Sequence, residues 1–167
     1  MLDQAGDPTF PLWLTGDSEP TSWSSRLDTP LDPRHPARHS IWTSVADYMQ
    51  DELFRRTRAR LDTSRLSIRN VVPYRKLKPR RENVDWPEIQ DYLQGLAGDV
   101  TTYQPEVILA IGRFGFEFAR RAAGEDERRP YSYWNTQRLG EEFRMRLASM
   151  ATPLVLPLLH VSFSARE

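Results

Sequence analysis

The stretch Val107-Ile108-Leu109-Ala110-Ile111-Gly112-Arg113 decides the fold of this 167-residue chain. Its five leading apolar residues indicate a short strand covered on both faces, which is typical of the centre of a parallel sheet. A turn at residues 112–115 and a helix from Phe116 to Ala123 are expected directly after it. A strand that leads into a helix is the repeating unit of α/β proteins.

The same alternation continues on both sides of this stretch. Upstream, strands are predicted at Phe10–Thr15 and Leu66–Val72; downstream, a helix at Thr136–Met150 precedes a strand at Leu154–Leu159. Alternating strands and helices favour parallel pairing with right-handed crossovers. The chain is therefore predicted to be a single domain, residues 1–167, with a three-layer α/β/α architecture and about four parallel strands.

Two further helices are predicted between these strands. The first is capped by Ser40 or Thr43 and extends to about Arg60, because its apolar residues recur at helical spacing. The second begins at Asn83 or Asp85, with a proline in its first turn.

Composition excludes several classes of function. Lys+Arg and Asp+Glu both total 23, so any affinity for nucleic acid must come from local clusters of charge. The absence of cysteine excludes disulfides, thiolate metal sites and a cysteine nucleophile. No apolar run is long enough for a membrane span and no signal peptide is recognisable, so we expect a cytoplasmic protein without membrane contact. No nucleotide-binding glycine motif is present, and no cofactor is expected.

The carboxyl ends of the predicted strands carry polar residues. Ligands of open parallel α/β sheets bind beyond these ends. Asp17 and Glu19 follow the first strand, Asn70 lies near the end of the second, and Arg113 and His160 follow the third and fourth. The sequence thus predicts that two carboxylates, an amide, a guanidinium and an imidazole converge.

Asn70 is unusual for a buried strand, because its amide requires partners for two donors and one acceptor. A flat heterocycle offers such partners, and the basic loop Tyr74–Arg81 that follows could hold phosphates. A turn-capping asparagine followed by a solvated run of charges is the alternative that this stretch alone leaves open.

Four segments together resemble the motifs of the uracil-DNA glycosylase superfamily. The second and third are close matches, and all four occur in the family's order over nearly the whole chain. They are Gly16-Asp17-Ser18-Glu19-Pro20, Asn70-Val71-Val72-Pro73, Val107-Ile108-Leu109-Ala110-Ile111-Gly112-Arg113 and His160-Val161-Ser162-Phe163-Ser164-Ala165-Arg166.

The resemblance implies a fold, an activity and roles for individual residues. A monomeric glycosylase of this type acts on DNA without metal or cofactor, flipping out a base and hydrolysing its N-glycosidic bond. Asn70 would read the base, and His160 would stabilise the departing base. Asp17 would position water, with Glu19 as the alternative because this turn carries one extra residue. Phosphate contacts are expected from the basic loop, with Arg113 assisting, and from the last motif: Arg75, Lys76, Lys78, Arg80, Arg81, Arg113 and Ser162.

Departures from the family pattern concern the target base. A phenylalanine usually stacks on that base, whereas Leu31 occupies the corresponding segment here unless Trp23 or Trp42 supplies the ring. The loop of residues 21–39 also carries polar candidates for substrate contact, namely Arg34, His35, Arg38 and His39. We therefore expect a modified pyrimidine, such as those of some phage genomes, which would suggest phage defence; uracil is the other candidate.

The sequence leaves a second interpretation open and argues against a third. A glycosylase-like domain that has lost catalysis and binds DNA or a protein would explain the degraded first and last motifs. A metal at His35 and His39, near Asp32, would require a regular helix for their four-residue spacing. Pro33 and Pro36 prevent such a helix, so no metal site is expected.

Overall fold

The structure is a computed structural model that describes residues 4–18, 31–34, 41–149 and 151–160. Over these ranges the chain forms an α/β fold with a five-stranded sheet and four α-helices. The strands are β1 (Gln4–Ala5), β2 (Leu12–Ser18), β3 (Ser67–Val72), β4 (Val107–Ile111) and β5 (Leu154–Leu158). The helices are α1 (Thr43–Thr57), α2 (Gln90–Tyr103), α3 (Gly112–Ala122) and α4 (Thr136–Leu147).

The strand order in the sheet is β1-β3-β2-β4-β5. Strands β3, β2, β4 and β5 pair in parallel, and β1 pairs with β3 in the antiparallel direction. The prediction of a mainly parallel sheet in an α/β fold is therefore confirmed. Strand β1 was not predicted, because two residues are too few to show any periodicity.

Alternate side chains of the strands enter two separate hydrophobic clusters. In β2, Trp13 joins a cluster with residues of α2 and α3, whereas Leu14 joins a cluster with Trp42 and other residues around α1. This alternation follows from the two-residue period of a strand. Helices thus cover both faces of the sheet, an arrangement compatible with three layers, and each fully buried large apolar side chain contributes about 1.5–3 kcal/mol.

Two predicted boundaries at the carboxyl ends of strands are wrong. The turn expected at Gly16 is part of β2, because Gly16 and Ser18 pair with Asn70 and Val72 of β3 and the ladder hydrogen bonds override turn propensity. The turn expected at residues 112–115 belongs to α3 instead. Gly112, with a φ of 78°, provides the bend within one residue, so the helix starts there.

The observed boundaries of the helices differ less from the predicted ones. Helix α1 ends at Thr57 because Arg58 adopts a left-handed backbone with a φ of 61°. Thr43 is its first residue rather than a side-chain cap, and Ser40 lies outside the described residues. A short 3₁₀ turn, Pro87–Ile89, precedes α2. None of the helices in the described ranges is long and apolar enough to cross a membrane.

A buried carboxylate fixes α3 and the loop that follows it. Glu117 has no exposed side-chain surface and accepts hydrogen bonds from Arg120 at 3.0 Å and Arg121 at 2.7 Å. It also accepts from the indole of Trp134 at 2.7 Å and the backbone N–H of Arg129 at 2.9 Å. These four donors compensate for the desolvation of the carboxylate. Glu117 therefore has a structural role.

Candidate functional site

Residues from the ends of β2, β4 and β5 meet in one cleft, which we call the basic cleft. Its volume is about 660 Å³. The cleft is lined by four cations and one carboxylate, so it is suited to binding anions. The lining residues are Asp17, Ser18, Arg75, Lys78, Pro79, Arg81, Gly112, Arg113, Phe114, Tyr131 and His160.

Asp17, at the end of β2, is the carboxylate of the basic cleft. Its Oδ2 accepts a hydrogen bond from the ammonium of Lys78, and both side chains are 21% exposed. Its Oδ1 is buried and has no hydrogen-bond partner in the part of the chain that the structure describes. Burial raises the pKa of Asp17, while the charges of Lys78 and His160 oppose that rise. Asp17 is therefore a more basic carboxylate than an exposed aspartate, and its buried Oδ1 has no hydrogen-bond partner among the described residues.

His160 follows β5 and lies beside the start of α3. Its Cβ is 4.0 Å from the position that a Cβ on Gly112 would occupy. Burial lowers the pKa of His160, and Lys78 acts in the same direction against the opposing charge of Asp17. The neutral form of the imidazole is therefore favoured at pH 7, and a neutral imidazole carries one N–H.

The arginines of the basic cleft come from two elements. Arg75 is the first residue of a short 3₁₀ turn after β3, Arg81 follows that turn, and Arg113 lies in the first turn of α3. Across the described ranges, none of the three forms an ion pair with an acidic side chain. A group of cations without acidic partners is what phosphate binding requires.

The rest of the predicted phosphate-binding set lies elsewhere. The Lys76 ammonium is 6.0 Å from the ring centroid of Tyr74 and does not line the basic cleft. Arg80 lines a separate shallow pocket with Glu82. Ser162 is outside the described residues.

Asn70 is brought to the same sheet edge but not into the basic cleft. It pairs in register with Gly16, and only 7% of its surface is exposed. Its amide makes no hydrogen bond to any other described residue. The Oδ1 of Asn70 lies 2.5 Å, and the Trp42 ring 2.8 Å, from the point that a Cβ on Gly16 would occupy. The missing side chain of Gly16 thus leaves room for an unbonded amide beside an indole ring.

The carboxylate of Asp17 and the amide of Asn70 therefore lie on opposite faces of the sheet at the end of β2. Because successive residues of a strand face opposite sides of the sheet, Asp17 points away from the face that holds Asn70. A nucleotide lying across the end of β2 could contact both. The indole N–H of Trp42 is also buried without a partner in the described structure.

The remaining predicted substrate contacts are only partly described. Leu31 packs against the cluster around Trp42 and adopts a left-handed backbone with a φ of 56°. Arg34, with a 71% exposed side chain, forms an ion pair of 2.6 Å with the buried Asp32. Other residues named from the sequence lie outside the described ranges: Glu19, Trp23, His35, Arg38 and His39.

Sequence reasoning missed some residues of the site. The sequence predicts Lys78 as a phosphate contact of the basic loop, and nothing in that run of charges shows that it turns inward to Asp17. Phe114 and Tyr131 were not selected either, although they line the basic cleft. Within the described ranges, no group of three or more histidine or acidic residues could hold a metal ion.

No known protein family model matches the chain, and no curated protein matches its sequence. Function must therefore be inferred from the chemistry of the strand ends.

Proposed function

We propose that the protein is a monofunctional DNA glycosylase, which flips a base out of DNA, hydrolyses its N-glycosidic bond and leaves an abasic site. The observation that carries this proposal is that Asp17 and a His160 whose neutral form is favoured line the same cationic cleft at the carboxyl ends of parallel strands, and that Oδ1 of Asp17 has no hydrogen-bond partner among the described residues. The resemblance to the uracil-DNA glycosylase superfamily supports it at the same residues.

The chemistry needs a group on each side of the bond that breaks. The sugar develops positive charge and the base leaves as an anion. The Asp17 carboxylate would stabilise the sugar cation and orient a water through Oδ1. The N–H of His160 would donate to a carbonyl oxygen of the departing base. The water adds to the anomeric carbon, its proton passes to Asp17, and the base leaves with the bonding electron pair.

Recognition of the base would fall to the Asn70 side of the strand end. The amide offers a donor and an acceptor together, which match a carbonyl and an adjacent N–H on a pyrimidine. The lack of hydrogen bonds from this amide to other described residues supports this role, because its donor and its acceptor can both serve a base. A flipped base would supply those bonds.

DNA binding would use the arginines of the basic cleft. Flipping a base costs a few kcal/mol, and contacts from Arg75, Arg81 and Arg113 to the flanking phosphates would help to offset it. The proposed target is a modified pyrimidine, as in some phage DNA, with uracil as the second candidate. Leu31 in place of a stacking ring and the polar side chain of Arg34 favour the modified base.

The test is mass spectrometry of the bases released from three DNAs: unmodified, uracil-containing and phage DNA with modified pyrimidines. Wild-type protein should release one class of base, and Asp17→Asn should lower the rate by about 10²–10⁴-fold while still binding DNA. DNA binding without release of any base would favour the alternative of a catalytically inactive DNA-binding domain.

A further inference from the structure

Lys78 differs from the other cations of its loop in where its charge lies. The chain contains two lysines, Lys76 and Lys78, among 23 basic residues. Lys76 is exposed beside Tyr74, whereas the ammonium of Lys78 turns inward and donates to Oδ2 of Asp17. An inward ammonium bonded to a carboxylate is a poor candidate for a phosphate contact, because the ion pair must first be broken.

The position of Lys78 is fixed by its surroundings. Its backbone N–H donates to the carbonyl of Arg75 at 3.1 Å, which closes the 3₁₀ turn, and the next residue, Pro79, is buried. Its ammonium lies 5.5 Å from the ring centroid of Phe114, within cation–π range. Backbone, proline and ring therefore direct the side chain toward Asp17.

The contact has two consequences for Asp17. Burial disfavours the charged carboxylate, and the adjacent ammonium is the largest influence that opposes burial. In addition, Lys78 donates to Oδ2 and not to Oδ1, and the buried Oδ1 has no hydrogen-bond partner in the part of the chain that the structure describes. One cation thus influences both the charge of the carboxylate and the direction in which it can accept a proton.

We propose that Lys78 is a positioning residue for Asp17, holding the carboxylate ionised with Oδ1 toward the reacting water, and is not a contact to DNA phosphate. Its effect on catalysis rests on the proposed glycosylase function. The ion pair itself does not, and it can be tested in protein without substrate.

The first experiment measures Asp17 directly by carboxyl ¹³C NMR titration. Lys78→Met should raise the pKa of Asp17 by about 1–3 units relative to wild type, since an opposite charge at this distance lowers a carboxyl pKa by that amount. Lys78→Arg should retain most of the lowering. Lys76→Met, which removes the other lysine, should leave the titration of Asp17 unchanged.

The second experiment measures base release and DNA binding. Lys78→Met should move the acid limb of the pH–rate profile upward by the shift found in the titration, and Lys78→Arg should restore it. The salt dependence of DNA binding should be unchanged in Lys78→Met. If Lys78→Met does not fold, Lys78→Gln replaces it in both experiments.

Three results would overturn the proposal. One is an Asp17 titration that does not move in Lys78→Met. Another is a fall of about 0.9 in the salt slope, which would make Lys78 a phosphate contact. The last is a covalent adduct trapped by borohydride on abasic DNA in wild type but not in Lys78→Arg, which would make the amine a nucleophile. Absence of base release by wild type, with the titration shifted as expected, would reject the glycosylase function and leave the ion pair supported.

Discussion

At Asp17, two opposing influences act on a single carboxylate. Burial favours its protonated form, and the ammonium of Lys78 favours the ionised form that catalysis would need. The net effect is a raised pKa for Asp17, so its protonated, inactive form should persist to higher pH than in an exposed aspartate. Burial lowers the pKa of His160, so its neutral form should persist to lower pH than in an exposed histidine.

We therefore predict a pH–rate profile for base release whose acid limb lies above pH 3.8, the ordinary pKa of an aspartate. Activity should rise with pH as Asp17 ionises. The measurement is the single-turnover rate from pH 3.5 to 9 for wild type and His160→Ala. The variant should be slower by about 10²–10³-fold but keep the same limb. If the fall in rate at low pH is absent in His160→Ala, the group that titrates is the histidine and not Asp17.

Gly16 shapes the base-reading side of the site through the side chain that it lacks. A Cβ there would stand 2.5 Å from the Asn70 Oδ1 and 2.8 Å from Trp42, both shorter than a tolerable contact. We predict that Gly16→Ala displaces the amide, destabilises the protein by about 1–3 kcal/mol and lowers affinity for the target base.

The matched control for that substitution is Gly95→Ala in α2, where nothing lies within 4 Å of the new Cβ. An exposed helical glycine replaced by alanine should stabilise the protein by about 0.5–1 kcal/mol. Urea unfolding and binding of an oligonucleotide containing the target base measure both effects. If Gly16→Ala binds the oligonucleotide with the affinity of wild type, Asn70 does not take part in base recognition.

Among the elements, the loop after β3 has some of its cations in the basic cleft and others outside it. Arg75 and Arg81 line the basic cleft, and Lys76 and Arg80 do not. A run of like charges in a sequence carries no information about this division. Phosphate binding is thus expected from part of the loop rather than from the whole.

We predict that Arg75→Gln together with Arg81→Gln reduces the salt slope of DNA binding by about two, because each phosphate contact contributes about 0.9. The control is Arg58→Gln with Arg60→Gln, which removes the same charge beside Phe54 at the end of α1. Fluorescence anisotropy at several salt concentrations gives both slopes. Equal slopes in the two double variants would show that the loop arginines do not contact phosphates.

Much of the element pattern was predictable, because its signals are local. The limits of β4 were predicted as observed, since five successive apolar residues end at a glycine. The end of β2 was not, because Gly16 and Asp17 favour turns and only pairing with β3 keeps them extended. The contact of Lys78 with Asp17 joins residues 61 positions apart, and no sequence spacing encodes it.

For the whole molecule, the loop after α3 depends on the buried carboxylate of Glu117. Glu117→Gln would leave two buried arginines, Arg120 and Arg121, without that charge. We predict a loss of about 3–5 kcal/mol in the free energy of unfolding. Glu127→Gln, which breaks an exposed pair with Arg129, should cost less than about 1 kcal/mol. Denaturant titration compares the two, and similar costs would contradict the role assigned to Glu117.

The ionisation of the buried Asp17 carboxylate should also affect the stability of the whole molecule. A carboxyl whose pKa is raised on folding binds more protons in the native state, so stability falls as pH rises from 3.8 through the native pKa. Asparagine does not ionise, so Asp17→Asn does not lose stability in this way as the pH rises. We predict that the variant is more stable than wild type at neutral pH, by on the order of 1 kcal/mol, although it releases bases more slowly.

The gain should shrink as the pH falls toward 3.8, where wild-type Asp17 becomes protonated and carries no charge either. Thermal unfolding of both proteins between pH 3.5 and 8 measures it. A variant less stable than wild type at pH 8 would mean that the ion pair with Lys78 outweighs the cost of burying the carboxylate. The native pKa of Asp17 would then lie below its ordinary value, and the ionised carboxylate would stabilise the folded protein.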